Sequence, residues 1–87
     1  MEKILFDTPM SYPNKIGKWS HLVASDIKTL HAFAKKIGLK KHWFQNKKGK
    51  NQPHYDLHES FVEIAKKHGA VQVQRKEVFL FLEAAYS

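Results

Sequence analysis

The chain has 87 residues, 43% hydrophobic and 26% charged, which is ordinary for one small globular domain and excludes a disordered chain. It contains no cysteine, so disulfides, thiolate catalysis and cysteine-ligated metal sites are excluded. No apolar run approaches the roughly 18–20 residues that cross a bilayer. We therefore expect residues 1–87 to form a single compact domain of a cytoplasmic protein with no membrane partner, and a homodimer remains an alternative.

Positive charge is concentrated in one part of the chain. Fifteen Lys and Arg residues stand against eight acids, which gives a net charge of +7. Eight lysines and no acid lie between Asp26 and Asp56. Such a field attracts anions, although a solvated lysine-rich face would give the same pattern. The segment 46–53 (NKKGKNQP) predicts an exposed Lys-rich loop.

The first half of the chain predicts two strands and a helix. Residues 3–6 and 19–24 are short apolar strands, separated by a loop over 8–18 that contains two prolines and a glycine. A helix follows, capped by Ser25 or Asp26 and ended by Gly38. Its buried stripe follows helical spacing and comprises Ile27, Leu30, Ala34 and Ile37.

The second half predicts a short helical turn at 40–45, a helix, a strand at 70–73 and a closing helix at 75–86. Asp56 and Glu59 have the spacing of a capping box, so we expect a helix to begin at Asp56 and to end at Gly69. Its inner face comprises Leu57, Phe61, Ile64 and Ala65.

These elements predict an α+β fold with the order β-β-α-α-β-α. The sheet has two or three strands and is covered by three to four helices. A strand, a helical crossover and another strand favour a parallel pair, so the sheet is expected to be partly parallel.

Three of the six histidines stand beside apolar positions or at the ends of elements. His21 shares a strand face with Trp19 and Val23, His31 adjoins the helix stripe, and His54 precedes the predicted helix. Polar groups at the ends of strands and the starts of helices commonly build sites in α/β architectures. We therefore expect His21, His31 and His54 to converge on one cleft, although each could instead satisfy a buried backbone group.

Several short motifs together resemble the bacterial and phage proteins catalogued as domain of unknown function 4031, from about Ile4 to Val78. In chain order they are D-x-P at 7–9, W-S-H-L-V at 19–23, L-H-A-F-A at 30–34, G-L at 38–39, H-Y-D at 54–56 and G-A-V at 69–71. The resemblance implies that the polar residues of these motifs are candidates for a functional site: Asp7, His21, His31, His54, Tyr55 and Asp56. This chain departs from the family pattern by its Lys-rich insert at 46–53.

Capture of an anionic, nucleotide-like small molecule is the first functional hypothesis. Lysines supply charge, imidazoles donate hydrogen bonds and an aromatic ring offers a face to a base. The resemblance to phage proteins adds sequestration of a host signalling nucleotide. The expected ligand-binding residues are Asp7, His21, His31, Trp43, His54, Tyr55, Asp56, Lys47 and Lys48.

The main alternative is a small acid–base enzyme acting on a phosphodiester or N-glycosidic bond, with His54, Asp56 and His21 as the catalytic candidates. A second alternative is an inhibitor of an acidic protein. Nonspecific nucleic-acid binding stays open, but a single Arg argues against specific base readout. Asp7, His21, His31, His54 and Asp56 are ligand types that suit a metal. Because they lie on separate elements, we expect no metal and no cofactor.

Overall fold

The computed structural model describes residues 3–46 and 52–86. The predicted Lys-rich loop falls mainly outside these ranges, and so do Lys47 and Lys48. Single 3-10 turns at Lys41–Trp43 and Glu59–Phe61 accompany the regular elements. In chain order these are β1 (Ile4–Asp7), β2 (Met10–Ser11), β3 (Lys18–Ala24), α1 (Ile27–Ile37), β4 (Phe44–Gln45), β5 (His54–His58), α2 (Val62–Lys67), β6 (Val71–Val73) and α3 (Arg75–Tyr86).

The strands form one mixed sheet with the order β4-β5-β3-β1-β6, and β2 pairs with β3 beside this path. β1 and β6 run parallel, whereas the other pairs are antiparallel. The α+β class and the parallel pair are therefore as expected. The expectation of a two- or three-stranded sheet is wrong, because the described residues contain six strands.

The missing strands have two physical causes. β2 and β4 are two residues long, which is too short for a period-two pattern to be visible in the sequence. β5 occupies the place where the spacing of Asp56 and Glu59 predicted the start of a helix. Along β5 the half-buried His54, Asp56 and His58 alternate with buried residues, and the strand pairs with β3 over four residues. Pairing with a distant strand therefore outweighs the local capping signal.

The larger core lies between one face of the sheet and the helices α1 and α2. α1 begins at Asp26, whose side chain accepts a 2.8 Å hydrogen bond from the Thr29 amide, and it ends at Gly38 with a φ of 89°. Both caps are as predicted. The predicted helix stripes were too wide, because Ile27 and Ile64 are each 38% exposed. The buried set includes Phe6, Leu22, Leu30, Phe33, Ala34, Ile37, Tyr55, Leu57 and Ala65.

The smaller core lies on the opposite face, where α3 packs Val78 and Leu82 against Val23. Leu5 and Val73 extend this contact along β1 and β6. The half of this face formed by β3 and β5 carries polar side chains instead, and it borders the pocket described below. No helix in the described part of the chain is long and apolar enough to cross a membrane.

Phe6 and Phe61 provide a matched test of the core. Phe6 is fully buried, whereas Phe61 is half-buried at the start of α2, contrary to the prediction that Phe61 lies on the inner face of its helix. We expect Phe6→Ala to lower the free energy of unfolding by about 3–5 kcal/mol and Phe61→Ala by roughly half as much, because less surface leaves water at Phe61. Urea denaturation measures both, and equal losses would contradict this division of the core.

Candidate active site

A pocket of about 610 Å³ lies on the β3–β5 face of the sheet, between the loop at 12–18 and α3. Its apolar wall includes Trp19, Val78, Phe79 and Leu82. Its polar wall is formed by side chains from three strands and two loops: Tyr12, Lys15, His21, Gln45, Gln52, His54 and Asp56.

Asp7 fixes the orientation of the His21 side chain through two hydrogen bonds. Asp7 is the last residue of β1 and is 1% exposed. Its Oδ1 accepts the backbone N–H of His21 at 2.7 Å, and its Oδ2 lies 2.8 Å from His21 Nδ1. Because a carboxylate accepts hydrogen bonds, this contact assigns a hydrogen to Nδ1. Nε2 then faces outward, with no hydrogen-bond partner among the described residues.

His54 lies beside His21 in the same pocket. The centroids of the two imidazoles are 5.0 Å apart, and their planes meet at 64°. His54 Nδ1 lies 2.9 Å from the carbonyl oxygen of Gln52, which assigns a hydrogen to this nitrogen. Its Nε2 lies 3.6 Å from Asp56 Oδ1. Both ring nitrogens of His54 therefore face acceptors.

Asp56 connects His54 to the loop. It lies opposite His21 in the β3–β5 register, and its Oδ2 accepts from Lys15 Nζ at 2.5 Å and from Gln45 Nε2 at 3.1 Å. Burial alone would raise the pKa of Asp56, but the hydrogen bonds and charges of His54 and Lys15 outweigh it and lower the pKa to about 2. The pocket therefore contains a negative charge that lies between the ammonium of Lys15 and the imidazole of His54.

The loop at 12–18 is held against the sheet by several contacts. The indole N–H of Trp19 donates to the carbonyl of Ile16 at 3.0 Å, and a carboxylate oxygen of Glu59 accepts the backbone N–H of Lys18 at 2.6 Å. Lys15 Nζ also lies 4.6 Å from the centroid of the Trp19 ring. Gly17 has a φ of 84° and passes against the imidazole of His58. These contacts position Lys15 over the pocket.

Four of the predicted site residues come together: Asp7, His21, His54 and Asp56. His31 and Tyr55 do not join them, because they lie on the opposite face, where His31 Nδ1 is 2.6 Å from the Tyr55 hydroxyl. Tyr55 is 2% exposed, and burial raises the pKa of its hydroxyl. The expectation that His21, His31 and His54 share one cleft is therefore wrong for His31. Tyr55, an expected ligand-binding residue, also lies away from the pocket.

Trp43 is also away from the pocket. It is half-buried on the larger core and makes edge-on contacts with Trp19 and Phe61, at centroid distances of 6.5 and 5.9 Å. Sequence reasoning missed Lys15 and Tyr12 as pocket residues, and no local pattern distinguishes either of them. The strand alternation that placed Trp19 and His21 on one face is confirmed.

A family model described as Protein of unknown function (DUF4031) matches residues 4–85. The chain belongs to this family. The chain matches no curated protein and no solved structure. In this DUF4031 chain the D-x-P and W-S-H motifs meet in the contact between Asp7 and His21. The L-H-A-F-A motif instead meets the tyrosine of H-Y-D on the other side of the sheet.

A metal ion in the pocket would need several His, Asp or Glu side chains that converge on one point. Within residues 3–46 and 52–86, no group of three or more His, Asp or Glu side chains is arranged to hold a metal ion. The contacts of Asp7, His21, His54 and Asp56 with one another are those of hydrogen-bonded and ionic pairs.

Gly17 and Gly69 provide a matched pair that tests the loop. Both have positive φ, at 84° and 104°, so alanine is strained at either position. A Cβ at Gly17 would lie 2.4 Å from His58 Nε2, whereas at Gly69 it would meet nothing within 4 Å. We expect Gly17→Ala to cost about 1 kcal/mol more than Gly69→Ala in urea denaturation. Equal costs would show that the loop moves away freely.

Asp56 predicts a pH-dependent contribution to stability. Its pKa is about 2 in the folded chain, against about 3.9 in an unfolded one, so its stabilising effect is complete above pH ~4. The effect is lost as the pH falls from ~4 to ~2. Because its partner Lys15 is 36% exposed, solvent screening limits the contribution to about 1 kcal/mol. The stability difference between wild type and Asp56→Asn should shrink between pH 5 and pH 2, and a constant difference would contradict the assignment.

Proposed function

We propose that the chain is a small acid–base enzyme that cleaves a phosphodiester bond in a nucleotide-like substrate. One observation carries the proposal: two imidazoles, each with Nδ1 held by an acceptor, lie 5.0 Å apart in a pocket. Cleavage of a phosphodiester needs one proton removed from the attacking oxygen and one delivered to the leaving oxygen. Two neighbouring imidazoles can perform both transfers.

The contacts of the two histidines favour different roles. His21 presents Nε2 with its lone pair while Asp7 accepts from Nδ1, so His21 acts as the general base. His54 has acceptors on both ring nitrogens, so its doubly protonated form is the one these contacts suit, and it acts as the general acid. His21 gains a proton and His54 loses one in each cleavage, and exchange with water restores both.

Lys15 and Asp56 support these roles electrostatically. Asp56 orients His54, and its charge is partly balanced by Lys15. The Lys15 side chain is 36% exposed, so its ammonium can turn towards a phosphoryl oxygen bound beside His54. A cation at this position stabilises the negative charge that develops on those oxygens.

The rest of the pocket fits a nucleotide. Trp19 and Tyr12 line it and offer aromatic faces on which a base can stack, a contact that tolerates every base. The side-chain amides of Gln45 and Gln52 lie on the same wall. A volume of about 610 Å³ is within the usual range of small-molecule sites, which is about 300–1,000 Å³.

Capture of a nucleotide without turnover, including sequestration of a signalling nucleotide, is the second candidate. The contact between Lys15 and the Trp19 ring favours it, because it places a cation beside a stacking face. Under this hypothesis the two imidazoles serve as fixed donors to a bound phosphate. The two candidates share one pocket and differ only in whether a bond is broken.

Turnover assays of four proteins test the proposal: wild type, His21→Ala, His54→Gln and the control His68→Gln, whose histidine is exposed at the end of α2. The substrates are bis(p-nitrophenyl) phosphate and the ribodinucleotide UpA. With UpA we expect His21→Ala and His54→Gln each to lose at least about 100-fold in kcat, because each removes one proton-transfer group. With bis(p-nitrophenyl) phosphate, whose p-nitrophenolate leaves without a proton, His21→Ala should lose as much and His54→Gln much less. The control should retain wild-type rates. A loss of activity confined to the two pocket variants excludes a contaminating nuclease, because a contaminant would act equally in all four preparations.

The pH profile and the products separate the alternatives. Acid–base catalysis predicts a rate that falls at both ends of the pH range in wild type and loses one limb in each variant. Tight binding of UpA in tryptophan fluorescence, without any cleavage in wild type, would replace the enzyme with the capture protein. Release of a free base would move the reaction to the N-glycosidic bond. Absence of both binding and turnover would overturn the proposed function.

A further inference from the structure

We propose that a second surface, away from the pocket, binds the phosphate backbone of nucleic acids. This surface, the basic stripe, consists of four lysines at the end of α1 and in the turn that follows. All four are exposed: Lys35, Lys36, Lys40 and Lys41. It is independent of the proposed enzymatic activity, because none of its residues lines the pocket.

Helical geometry directs the stripe outward. The buried residues of α1 are Leu30, Phe33, Ala34 and Ile37, which define one side of the helix at 3.6 residues per turn. Lys35 and Lys36 fall about 150° and about 110° from the middle of this buried face, on opposite sides of it. Lys40 and Lys41 continue the chain just beyond Gly38. The four exposed lysines therefore follow one another closely, in the last turn of α1 and in the turn after it.

The charge of the stripe is not neutralised by neighbouring acids. In the described ranges, no carboxylate lies within 4.0 Å of any of the four lysines. Within residues 3–46 and 52–86, the contact that their charged groups make is between Lys40 Nζ and the Trp43 ring, whose centroid lies 6.0 Å away. Lys28, in the first turn of the same helix, differs from these four lysines because it has an acidic neighbour. Hydrogen bonds from Thr29 are the main cause of the lowered pKa of Asp26, and the charge of Lys28 lowers it further. An uncompensated positive field therefore begins at the last turn of α1.

The composition of the stripe favours nucleic acid over a protein or a membrane. The cores of protein interfaces are enriched in aromatic residues and depleted in lysine. Stable binding to a bilayer combines a basic patch with apolar side chains or a lipid anchor, and the stripe carries charge alone. Phosphate contacts require only positive charge, and lysine supplies it as a point charge without reading bases.

The pocket and the stripe lie on opposite sides of the sheet. α1 packs on the face that carries Leu22 and Tyr55, whereas the pocket borders the face that carries His21 and Asp56. A nucleic-acid strand on the stripe therefore does not pass through the pocket. The stripe would recruit or retain the protein on a polyanion while the pocket remains open to a small molecule.

Salt titrations of double variants test the inference. A 20-base-pair DNA duplex with a fluorescent end label is titrated with wild type, Lys35→Gln/Lys36→Gln, Lys40→Gln/Lys41→Gln and the control Lys3→Gln/Lys76→Gln. Each variant loses two charges, but the control lysines lie before β1 and on α3. The thermal midpoint of each variant is also measured, because Lys35 and Lys36 complement the dipole of α1.

We expect log K for wild type to fall with log salt, with a slope whose magnitude is at least about 3, since each neutralised phosphate contributes about 0.9. Each stripe variant should reduce the size of this slope by about 2, and the control should reduce it much less. Equal effects of all three variants would overturn the inference, because net charge alone would then explain binding. Equal affinity for poly-glutamate would overturn it in favour of an acidic protein partner, and preferential binding to anionic lipid vesicles would do so in favour of a membrane.

Discussion

The register between β3 and β5 is the constraint on which the core and the site both depend. Leu22 faces Tyr55 and Ser20 faces Leu57 in this pairing, so these positions point towards α1 and α2. The alternate positions, His21 and Asp56, point to the other side. A slip by one residue would bury the charged set and expose the apolar one, so the same pairing that closes the core assembles the pocket.

Asp7 adds a second constraint, because a buried carboxylate is costly unless it is hydrogen-bonded. In the described part of the chain, both of its hydrogen bonds come from one residue, His21, through the backbone and the ring. The orientation of the His21 imidazole is therefore part of the stability of the sheet, and a rotation of the ring would remove one partner of a buried charge. Two hydrogen bonds to the buried Asp7 therefore hold His21 more firmly than His54 is held. His54 has one hydrogen bond to a carbonyl and a longer contact with Asp56.

Local signals in the sequence predicted the parts of the fold that are decided locally. The Asp26 cap, the Gly38 and Gly69 termini and the helices α1 and α3 depend on neighbours within a few residues. β5 was predicted as a helix because Asp56 and Glu59 mimic a capping box, whereas its actual partner, β3, is more than thirty residues away. The same error misplaced Tyr55, because adjacent residues of a strand face opposite sides of the sheet. His31 lies beside Tyr55 because α1 packs on that face. Lys15 carries no local signal, since its role comes from the path of a loop.

The parallel pairing of β1 with β6 has a consequence for the order of folding. β1 lies between β3 and β6, so one of its neighbours is a hairpin partner and the other is near the opposite end of the sequence. Asp7 itself is in register with Val73. During synthesis, β1 and β3 can pair early, but β1 gains its second neighbour only after Val71–Val73 has left the ribosome. Contacts of such long sequence separation slow folding, so the site matures late.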